Sequence, residues 1–506
     1  MLVSAILAGA ALGLDGSPRI VVPSGFTKVD SEGSSALYEI KAEGEYSSGP
    51  AMLLDLHGTR SEQGYAFGRL GGAAARDNYL SLIGALINAT TLAGKAEVAA
   101  LELVVDWQWS SVLSKQLPAE MAEELAGFAQ GCAKKLPLHT AFCQAAAGRV
   151  TLLANLPGDV SDIAFVLLDE LPHAVTVAAE VLLGGSLTTF LRRLPWPATM
   201  CSMWAAWGSR TLDGSLFSGR NLDWNENTGI DRHKLISVFH PPGRYAHAAF
   251  GFGGVVGALT GMSAKGLTVH EANLESDRDS FHGFPWLLRL RYIMERAATL
   301  SEAEAIWRAT NNTIGFNHMV ASASDRSALV METNAVTTAF FADNDPREAA
   351  AAFAGPGRTI LGAPMKDAVW RTNHGFDGRI VREYMWNTTH AYNDSDTRYH
   401  LIAGALSASD ALVNATGAVG VTALVGQKGN NPTFKNYSAC EAPFKGGSNV
   451  LSVAFDPEKL TAYTAWEDGA GFGAAAGNWR PAACNAYLQI DLRPWFEQNA
   501  TSRLVA

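Results

Sequence analysis

The chain has 506 residues, of which 48% are hydrophobic and only 17% are charged. This apolar content is enough for a large core, and the length allows about two to four domains. The formal net charge is −10, and the sequence contains no basic cluster, which argues against nucleic acid as a partner.

The N-terminus is an apolar run over residues 1–14 that contains the small-residue stretch Ala8-Gly-Ala10. Such a run is typical of a secretory signal peptide. We interpret residues 1–25 as a signal peptide or leader. No Lys or Arg precedes the run, so a truncated N-terminus is the alternative.

Seven Asn-X-Ser/Thr sequons, each an acceptor pattern for N-glycosylation, are spread along the chain. They begin at Asn88, Asn311, Asn387, Asn393, Asn414, Asn436 and Asn499. Together with the apolar N-terminus they predict passage through the secretory pathway. We expect a secreted protein or one in the lysosomal or endosomal lumen.

The chain has five cysteines, and an odd number in a secreted protein indicates a leftover thiol. Pairing Cys132 with Cys143, and Cys440 with Cys484, would leave Cys201 free. The sequence does not settle the connectivity. In that arrangement, however, each pair lies on one side of Cys201.

Residues 26–200 are predicted to be mainly helical. Residues 50–156 are mostly helical in pattern, including a helix with Pro118 in its first turn. The apolar segment 171–191 contains Glu180 and two glycines, which favours a buried or partner-facing helix over a membrane span. The basic, proline-broken end of this region predicts an exposed linker before residue 201.

From Cys201 onward the pattern changes to short strands and turns. Residues 201–224 predict a strand, a turn at Asp213-Gly214 and a return strand. Further strands are predicted at 235–240, 245–252, 266–270, 318–322 and 328–332, and helices at 284–299 and 302–308. A capping box from Ser301 to Glu304 is predicted to open the second helix. Strands, then helices, then strands again favour an α+β fold of layered sheets covered by helices.

Cys201 has the sequence context of a nucleophile that a self-cleavage exposes. A cut between Met200 and Cys201 would leave the thiol and a free α-amine on one residue. An α-amine has a reference pKa of roughly 7.7–8.0, so it can act as the base for its own thiol. Arg220 and Asp223 lie on the return strand, on opposite faces unless that strand bends. A buried structural cysteine beside a hairpin ion pair is the alternative.

Four stretches resemble, in the same order, the acyl-CoA:6-aminopenicillanic acid acyltransferase-like (peptidase C45) family. These are residues 56–70, residues 201–224, residues 261–273, and Arg371-Thr-Asn-His-Gly375 followed by Ser395-Asp-Thr-Arg398. That family belongs to the Ntn-hydrolases, together with choloylglycine hydrolases, penicillin V acylases and acid ceramidases. The resemblance runs from about residue 50 to about residue 490.

The resemblance implies a four-layer αββα sandwich with antiparallel sheets for residues 201–506. It also implies that residues 26–200 form a pro-region. With the disulfides Cys132–Cys143 and Cys440–Cys484 each inside one fragment, packing alone would hold the two chains together after cleavage. We expect the pro-region to remain as a noncovalent small subunit, because its apolar helix would otherwise be exposed.

The resemblance also implies roles for single residues. Cys201 would be the nucleophile and, through its α-amine, the base. Asp223 would orient that amine, and Arg220 would support the thiolate. The site would therefore need no separate histidine.

Three residues farther along the chain complete the implied site. The side-chain amide of Asn373 and the polypeptide around Asn273 would form the oxyanion hole. Arg398 would brace the site through charge-assisted hydrogen bonds. The family's usual Asn in the strand-pair motif is Ser263 here, so Asn273 is placed by spacing alone.

The predicted function is hydrolysis or transfer of the acyl group of a non-peptide amide through a Cys201 thioester. The substrate would be a small acylated amide or a lipid-like molecule, and Trp204, Trp207, Trp224 and Trp286 would line its acyl pocket or pack in the core. We expect no cofactor and no metal, because the twelve histidines are scattered without an HExxH or CxxC motif.

Two alternatives remain at this stage. One is an Ntn-type lipid hydrolase, either an N-acyl lipid amidase or a phospholipase B-like enzyme. The other is a catalytically silent secreted glycoprotein. An unpaired thiol in an oxidising compartment argues against the silent protein, since a binding module gains nothing from it.

Overall fold

The structure is a computed structural model, and it describes most of the chain between residues 19 and 497. The described residues are 19–42, 49–154, 156, 160–194, 200–224, 229–355, 358–383, 389–407, 412–427, 440, 449–468 and 480–497. Most of the predicted signal peptide, and the sequon residues Asn387, Asn436 and Asn499, lie outside them.

Two large sheets form the centre of the molecule. The seven-stranded sheet contains, in spatial order, β1 (Ile20–Val21), β19 (Tyr487–Asp491), β18 (Thr461–Trp466), β17 (Asn449–Asp456), β6 (Phe217–Asp223), β5 (Met200–Ala206) and β16 (Ala368–Arg371). All its neighbouring strands are antiparallel except β1 and β19.

The ten-stranded sheet contains, in spatial order, β13 (Thr338–Phe341), β12 (Ser327–Thr333), β11 (Phe316–Ser322), β10 (Leu267–Asn273), β9 (Thr260–Ser263), β8 (His247–Phe252), β7 (Lys234–Phe239), β4 (Met52–Leu56), β3 (Ser35–Lys41) and β2 (Gly25–Glu32). Its one parallel pair is β4 with β7. A separate ribbon pairs β14 (Ala352–Gly355) with β15 (Arg358–Leu361).

Helices lie in the connections between strands and after the last strand. They are α1 (Arg60–Leu86), α2 (Leu92–Ser111), α3 (Ala119–Lys135), α4 (Thr140–Ala154), α5 (Val160–Leu168), α6 (His173–Leu183), α7 (Leu187–Arg193), α8 (Trp286–Met294), α9 (Leu300–Arg308), α10 (Pro346–Ala349), α11 (Gly378–Arg382), α12 (Thr389–Ser407), α13 (Ala415–Gly426) and α14 (Arg493–Phe496). Thr59 and Glu62 form a capping box that opens α1.

These elements form four layers. The two sheets pack face to face, with β10 against β5 and β6. Helices α12 and α13 cover the seven-stranded sheet, and α1, α8 and α9 cover the ten-stranded sheet. The predicted αββα sandwich with mainly antiparallel sheets is therefore confirmed, and a helical N-terminal region accompanies it.

The region before Cys201 is not only helical. Besides α1–α7 it supplies β1 to the seven-stranded sheet and β2, β3 and β4 to the ten-stranded sheet. The sequence analysis predicted no strand there, and it assigned residues 52–56 to helix, which is wrong. The two-chain division at residue 201 stays a prediction.

Two details of the predicted helices were also wrong. The capping box of α9 uses Thr299 and Glu302, not Ser301 and Glu304, so the helix begins two residues earlier than expected. Segment 171–191 is not one helix but α6 and α7, separated at Gly184, whose φ of 62° ends α6.

No single helix within the described residues is long and apolar enough to cross a bilayer. Helices α6 and α7 reach the required length and composition only together, and they are bent by 65° at the break between them.

The structure contains both disulfides considered above, Cys132–Cys143 between α3 and α4, and Cys440–Cys484 near the C-terminus. Cys201 is free and buried. Each bridge joins residues on one side of Cys201, so neither would link the two fragments after a cut at that residue.

The sequons differ in accessibility. Asn88, Asn311 and Asn414 are exposed, and the Asn414 side chain accepts the Gly417 N–H at the start of α13. Asn393 lies in α12, but its side chain is outside the described residues. Ser395, the third residue of that sequon, is buried. Glycosylation stays a prediction at all seven positions.

Candidate active site

Cys201 is the second residue of β5 and lies between the two sheets. Its relative exposure is 1%. The predicted hairpin is present: β5 and β6 are antiparallel, and Cys201 lies opposite Leu222. The Met200–Cys201 peptide bond therefore joins the first two residues of β5. It follows residues 195–199, which are outside the described part of the chain.

The thiol contacts one cation and one carboxyl group. Nη2 of Arg220 lies 3.3 Å from the Cys201 sulfur. Oε2 of Glu271, on β10 of the facing sheet, lies 4.0 Å from the same sulfur. The same Arg220 nitrogen forms an ion pair with Glu271, and Nε of Arg220 donates to the Glu271 carbonyl at 3.2 Å.

Burial keeps the Cys201 thiol protonated at neutral pH and brings the pKa of Glu271 close to neutral. Burial, with Glu271 as the second cause, raises the pKa of the Cys201 thiol to about 12, although Arg220 opposes the shift. Burial also raises the pKa of Glu271 to about 7 against the influence of Arg220. The thiol is therefore uncharged, and its ionisation requires a base.

Strand alternation assigns Arg220 and Asp223 to different faces, as the sequence predicted. Arg220 points between the sheets, whereas its neighbour Asn221 contacts Ser202 and Thr422 on the helix-covered side. Asp223 lies opposite Met200 in the β5–β6 ladder. The bend that would bring both side chains to one face does not occur in β6.

Asp223 is fully buried and is held by Asn449 of β17. Nδ2 of Asn449 donates to Oδ1 of Asp223 at 2.9 Å. A bulge in β17 between Asn449 and Leu451 places Asn449 directly opposite Asp223. Oδ2 of Asp223 has no hydrogen-bond partner among the described residues. Burial raises the pKa of Asp223 to about 6, with Arg398 opposing the shift.

Asn373 and Arg398 hold the main chain of Cys201. The Cys201 N–H donates to Oδ1 of Asn373 at 2.9 Å. Arg398 donates to the Cys201 carbonyl and, at 2.8 Å, to the same Asn373 oxygen. Asn373 therefore contacts the main-chain nitrogen of Cys201, and its predicted oxyanion role stays a prediction.

Asn273, placed by spacing alone, lies at the end of β10 beside the sulfur. Its main-chain N–H is hydrogen-bonded to the Cys201 thiol and lowers the pKa of that group. Its carbonyl accepts the Asn373 Nδ2 at 2.7 Å. All six predicted catalytic residues thus meet around Cys201.

A layer of residues behind the site fixes Asn373 and Arg398. Ser395 accepts the Asn373 main-chain N–H at 2.8 Å and lies 2.7 Å from Nδ1 of His374. Asp394, one turn from Arg398 on α12, accepts its Nε at 2.7 Å. Burial lowers the pKa of His374 to about 3, so this histidine is neutral and structural.

The sequence analysis missed Glu271 and Asn449. Glu271 lies two residues before Asn273, inside the stretch 261–273 that carries the family resemblance. The sequence did not indicate that its side chain contacts Cys201 and Arg220 from the facing sheet. Nothing in the sequence near Asn449 indicates a contact with Asp223. The two residues are 226 positions apart, and the pairing of β17 with β6 brings their side chains together.

An apolar cavity opens beside the thiol. Apart from Cys201 and Glu271 its lining is apolar: Leu82, Leu86, Leu153, Ala154, Leu156, Ile163, Leu222, Trp224, Leu259, Trp286 and Phe316.

Both sides of residue 201 build the cavity. Its first six apolar lining residues precede Cys201, and Trp286 Nε1 donates to the Ala154 carbonyl at 3.0 Å. Of the four tryptophans considered above, Trp224 and Trp286 line the cavity. Trp204, whose Nε1 donates to Thr422, and Trp207 do not line it.

The chain matches one protein family over a little more than half its length. The model of the family described as "Acyl-coenzyme A:6-aminopenicillanic acid acyl-transferase" matches residues 209–470. The matched range begins after Cys201 and contains Arg220, Asp223, Asn273, Asn373 and Arg398.

Matches to individual proteins are more distant. "Protein dcd1B" from Dictyostelium discoideum is 26% identical over 171 residues, which are 32% of this chain and 34% of that protein. The match thus spans about a third of that relative.

Two solved structures are similar to parts of the chain. One is the N-acylethanolamine-hydrolyzing acid amidase ortholog of Caenorhabditis elegans, at 14% identity and a TM-score of 0.33, covering 51% of this chain and 93% of that one. The other is penicillin V acylase from Agrobacterium tumefaciens, at 13% identity and a TM-score of 0.34, covering 53% and 83%.

Proposed function

The chain belongs to the acyl-coenzyme A:6-aminopenicillanic acid acyl-transferase family, and from this premise we propose that it is a self-processed cysteine amidase or acyltransferase. The observation that carries the proposal is that different residues hold the sulfur and the main-chain nitrogen of Cys201. Its sulfur contacts Arg220 and the Asn273 N–H, and its nitrogen contacts Asn373.

The first reaction in this proposal is on the chain itself. The Cys201 sulfur attacks the Met200 carbonyl carbon, a C–S bond forms, the Met200–Cys201 C–N bond breaks, and the thiol proton passes to the departing Cys201 nitrogen. Water then hydrolyses the thioester, leaving Met200 with a carboxylate and Cys201 with a thiol and an α-amine. Arg398, bound to the Cys201 carbonyl, would hold the strand in place during the cut.

The second reaction uses the new α-amine. It accepts the thiol proton, the sulfur attacks the substrate carbonyl, and the substrate C–N bond breaks as the α-ammonium protonates the leaving amine. Water or a second amine then resolves the thioester. Oδ2 of Asp223, buried without a partner among the described residues, would accept a hydrogen bond from this α-amine.

The acyl group of the substrate is proposed to be apolar. The cavity beside the thiol is lined by aliphatic and aromatic side chains, and burying apolar area contributes roughly 25 cal/mol per Å². Trp224 Nε1 is buried and has no partner among the described residues, so a single acceptor on the substrate could bind it. This favours an N-acyl lipid amide over a short polar amide.

Retention of the region before residue 201 as a subunit is supported by its contacts. Strand β4 pairs with β7 along its whole length. Arg60 forms ion pairs with Glu295 at 2.7 Å and with Glu124 at 3.2 Å, and Glu124 also contacts Arg291. Removing one partner of such a buried network is strongly destabilising, so dissociation would be costly.

We also propose that the protein is made in the secretory pathway and acts in the secreted or lysosomal lumen. Two disulfides beside a free buried cysteine support an oxidising site of folding.

A denaturing gel of the purified protein tests the processing step. We expect two chains, the larger beginning at Cys201 by N-terminal sequencing, and one intact chain for Cys201→Ala. A fully active wild-type protein that keeps the Met200–Cys201 bond would contradict the proposed base.

A substrate panel tests the chemistry. N-acyl amides with acyl chains of increasing length should be cleaved at rates that rise with chain length until the cavity is filled. Lyso- and diacyl-phospholipids serve as the comparison. Turnover of the phospholipids with inert amides would replace the amidase proposal by a phospholipase B-like activity, and inertness toward both would favour a silent glycoprotein.

A further inference from the structure

A cluster of one aspartate and two histidines lies at the shared end of β4 and β7. These strands are parallel, with Leu56 opposite Phe239, so both end at the same edge of the ten-stranded sheet. Asp55 is the last but one residue of β4, His57 follows β4, and His240 follows β7. The His240 main-chain N–H donates to the Leu56 carbonyl at 3.1 Å, which fixes the two strand ends together.

The three side chains converge on one point. His57 Nε2 lies 2.8 Å from Oδ2 of Asp55, and His240 Nε2 lies 3.0 Å from Oδ1. All the possible ligand atoms lie within 4.8 Å of one another. Asp55 and His240 are buried, at 3% and 7% relative exposure, and His57 is half-buried.

A neighbouring polar atom is left without a partner. Gln63 donates through Nε2 to the His240 carbonyl at 2.8 Å, yet its buried Oε1 has no hydrogen-bond partner among the described residues. Buried polar groups in native proteins almost always have partners, and the exception at Gln63, beside His240, indicates a water or ion there.

We propose that Asp55, His57 and His240 bind one divalent transition-metal ion of the Zn²⁺ class. The ligands would be Nε2 of both histidines and the Asp55 carboxylate. Two imidazoles and one carboxylate are a donor set typical of zinc, which takes a water as its fourth ligand where three protein ligands are present.

The fourth position can be reached from solvent. His57 lines an open cleft together with Ser35, Glu62 and Tyr65. The two imidazole rings are stacked, with centroids 4.1 Å apart and 12° between their planes. One ion cannot lie in both ring planes of such a stack, so metal binding would tilt the rings and replace the hydrogen bonds to Asp55.

Such an ion would join the two regions of the chain. Asp55 and His57 precede Cys201, and His240 follows it. The ion would therefore cross-link the fragments after cleavage, which neither disulfide does. This consequence rests on the proposed cleavage, but the metal site itself does not.

Direct metal analysis of the untagged Cys201→Ala chain tests the proposal, because that variant removes the free thiol as a competing ligand. After incubation with ZnCl₂ and desalting, we expect about one zinc per chain and a higher melting temperature. His57→Ala should weaken zinc binding by about 100-fold or more. Replacement by Co²⁺ should give the intense visible absorption of four-coordinate cobalt.

His233→Ala is the matched control. His233 also contacts an aspartate across the two regions, Asp77 at 3.3 Å, but lies in no three-ligand cluster. This variant should bind zinc as the parent chain does. If His240→Ala fails to fold, the half-buried His57 still provides a test.

Two results would overturn the metal site. One is substoichiometric zinc in the parent chain with no change in melting temperature. The other is equal zinc binding by His57→Ala and the parent. Either would assign the cluster to hydrogen bonding alone. Because zinc content is read in a chain without the nucleophile, failure here would leave the proposed amidase function untouched, and loss of amidase activity would leave the metal site untouched.

Discussion

The described part of the chain forms two hydrophobic cores, and the division between them does not coincide with the proposed cleavage position. The main core lies between and beside the two sheets and includes residues from both sides of Cys201, among them Leu54 of β4 and Phe67 of α1. The second core lies among the N-terminal helices and includes Leu101 of α2 and Phe190 of α7. The proposed cleavage position at residue 201 is therefore not a boundary between the two cores.

This difference suggests separate tasks for the two cores. The main core joins the sheets that position Cys201, Arg220 and Asp223. The second core supports helices whose ends line the apolar cavity. Damage to the main core should affect processing and fragment association, whereas damage to the second core should affect the acyl pocket.

The largest effect on activity is expected from Asp223→Asn, in the candidate site that the main core supports. A neutral amide cannot stabilise an α-ammonium, so kcat should fall by about 10²–10³-fold, as on loss of a comparable electrostatic contact. Amide hydrolysis by the purified variant is the measurement. Asp213→Asn, in the exposed hairpin turn, should retain wild-type activity, and an equal loss in both variants would contradict the role of Asp223.

A matched pair of substitutions tests whether the two cores have different roles. Leu54→Ala and Leu101→Ala each remove a side chain that is 0–1% exposed, and each should lower the free energy of unfolding by about 2–5 kcal/mol. Only Leu54→Ala should promote separation of the two fragments on size exclusion of the cleaved protein, because β4 pairs with β7 across the cut. Equal separation in both would show that the cores are not distinct.

The acyl pocket can be narrowed from the N-terminal side. Leu86→Phe adds volume to the cavity lining, so kcat/KM for the longest acyl chain should fall by about tenfold, while a short acyl amide is little affected. Leu80→Phe on the same helix is the control, since Leu80 is 46% exposed. Loss of activity on all chain lengths would mean that the substitution disturbs the site itself.

The smallest effect is expected in the pH dependence of stability. Folded Glu271 keeps its proton up to about pH 7, whereas the ordinary pKa is 4.5. Between these values the folded chain binds more protons than the unfolded chain, so its free energy of unfolding decreases as pH rises.

Glu271→Gln removes this titration. In the intact Cys201→Ala chain, the substitution should flatten the decrease in unfolding free energy between pH 5 and pH 7 by about 1–2 kcal/mol. Denaturant titrations at several pH values measure it. The exposed Glu123→Gln should leave the slope unchanged, and an unaltered slope in the Glu271 variant would contradict the burial argument.

Local pattern was enough to predict much of the secondary structure after residue 201. Period-two alternation and the Asp213-Gly214 turn predicted the hairpin from Cys201 to Trp224, because strand pairing between near neighbours follows from local propensity and turn chemistry. The opposite faces of Arg220 and Asp223 also followed from alternation. The family resemblance added Asn373 and Arg398, which no local pattern links to Cys201.

The sequence by itself determined the layered α+β class, the hairpin and the odd number of cysteines, which indicates a leftover thiol. Tertiary structure alone decided that β4 lies beside β7, that Glu271 contacts the thiol from the facing sheet, and that Asn449 holds Asp223. The physical reason is that these contacts join strands far apart in sequence. Their register depends on the packing of both sheets together, which no window of the sequence contains.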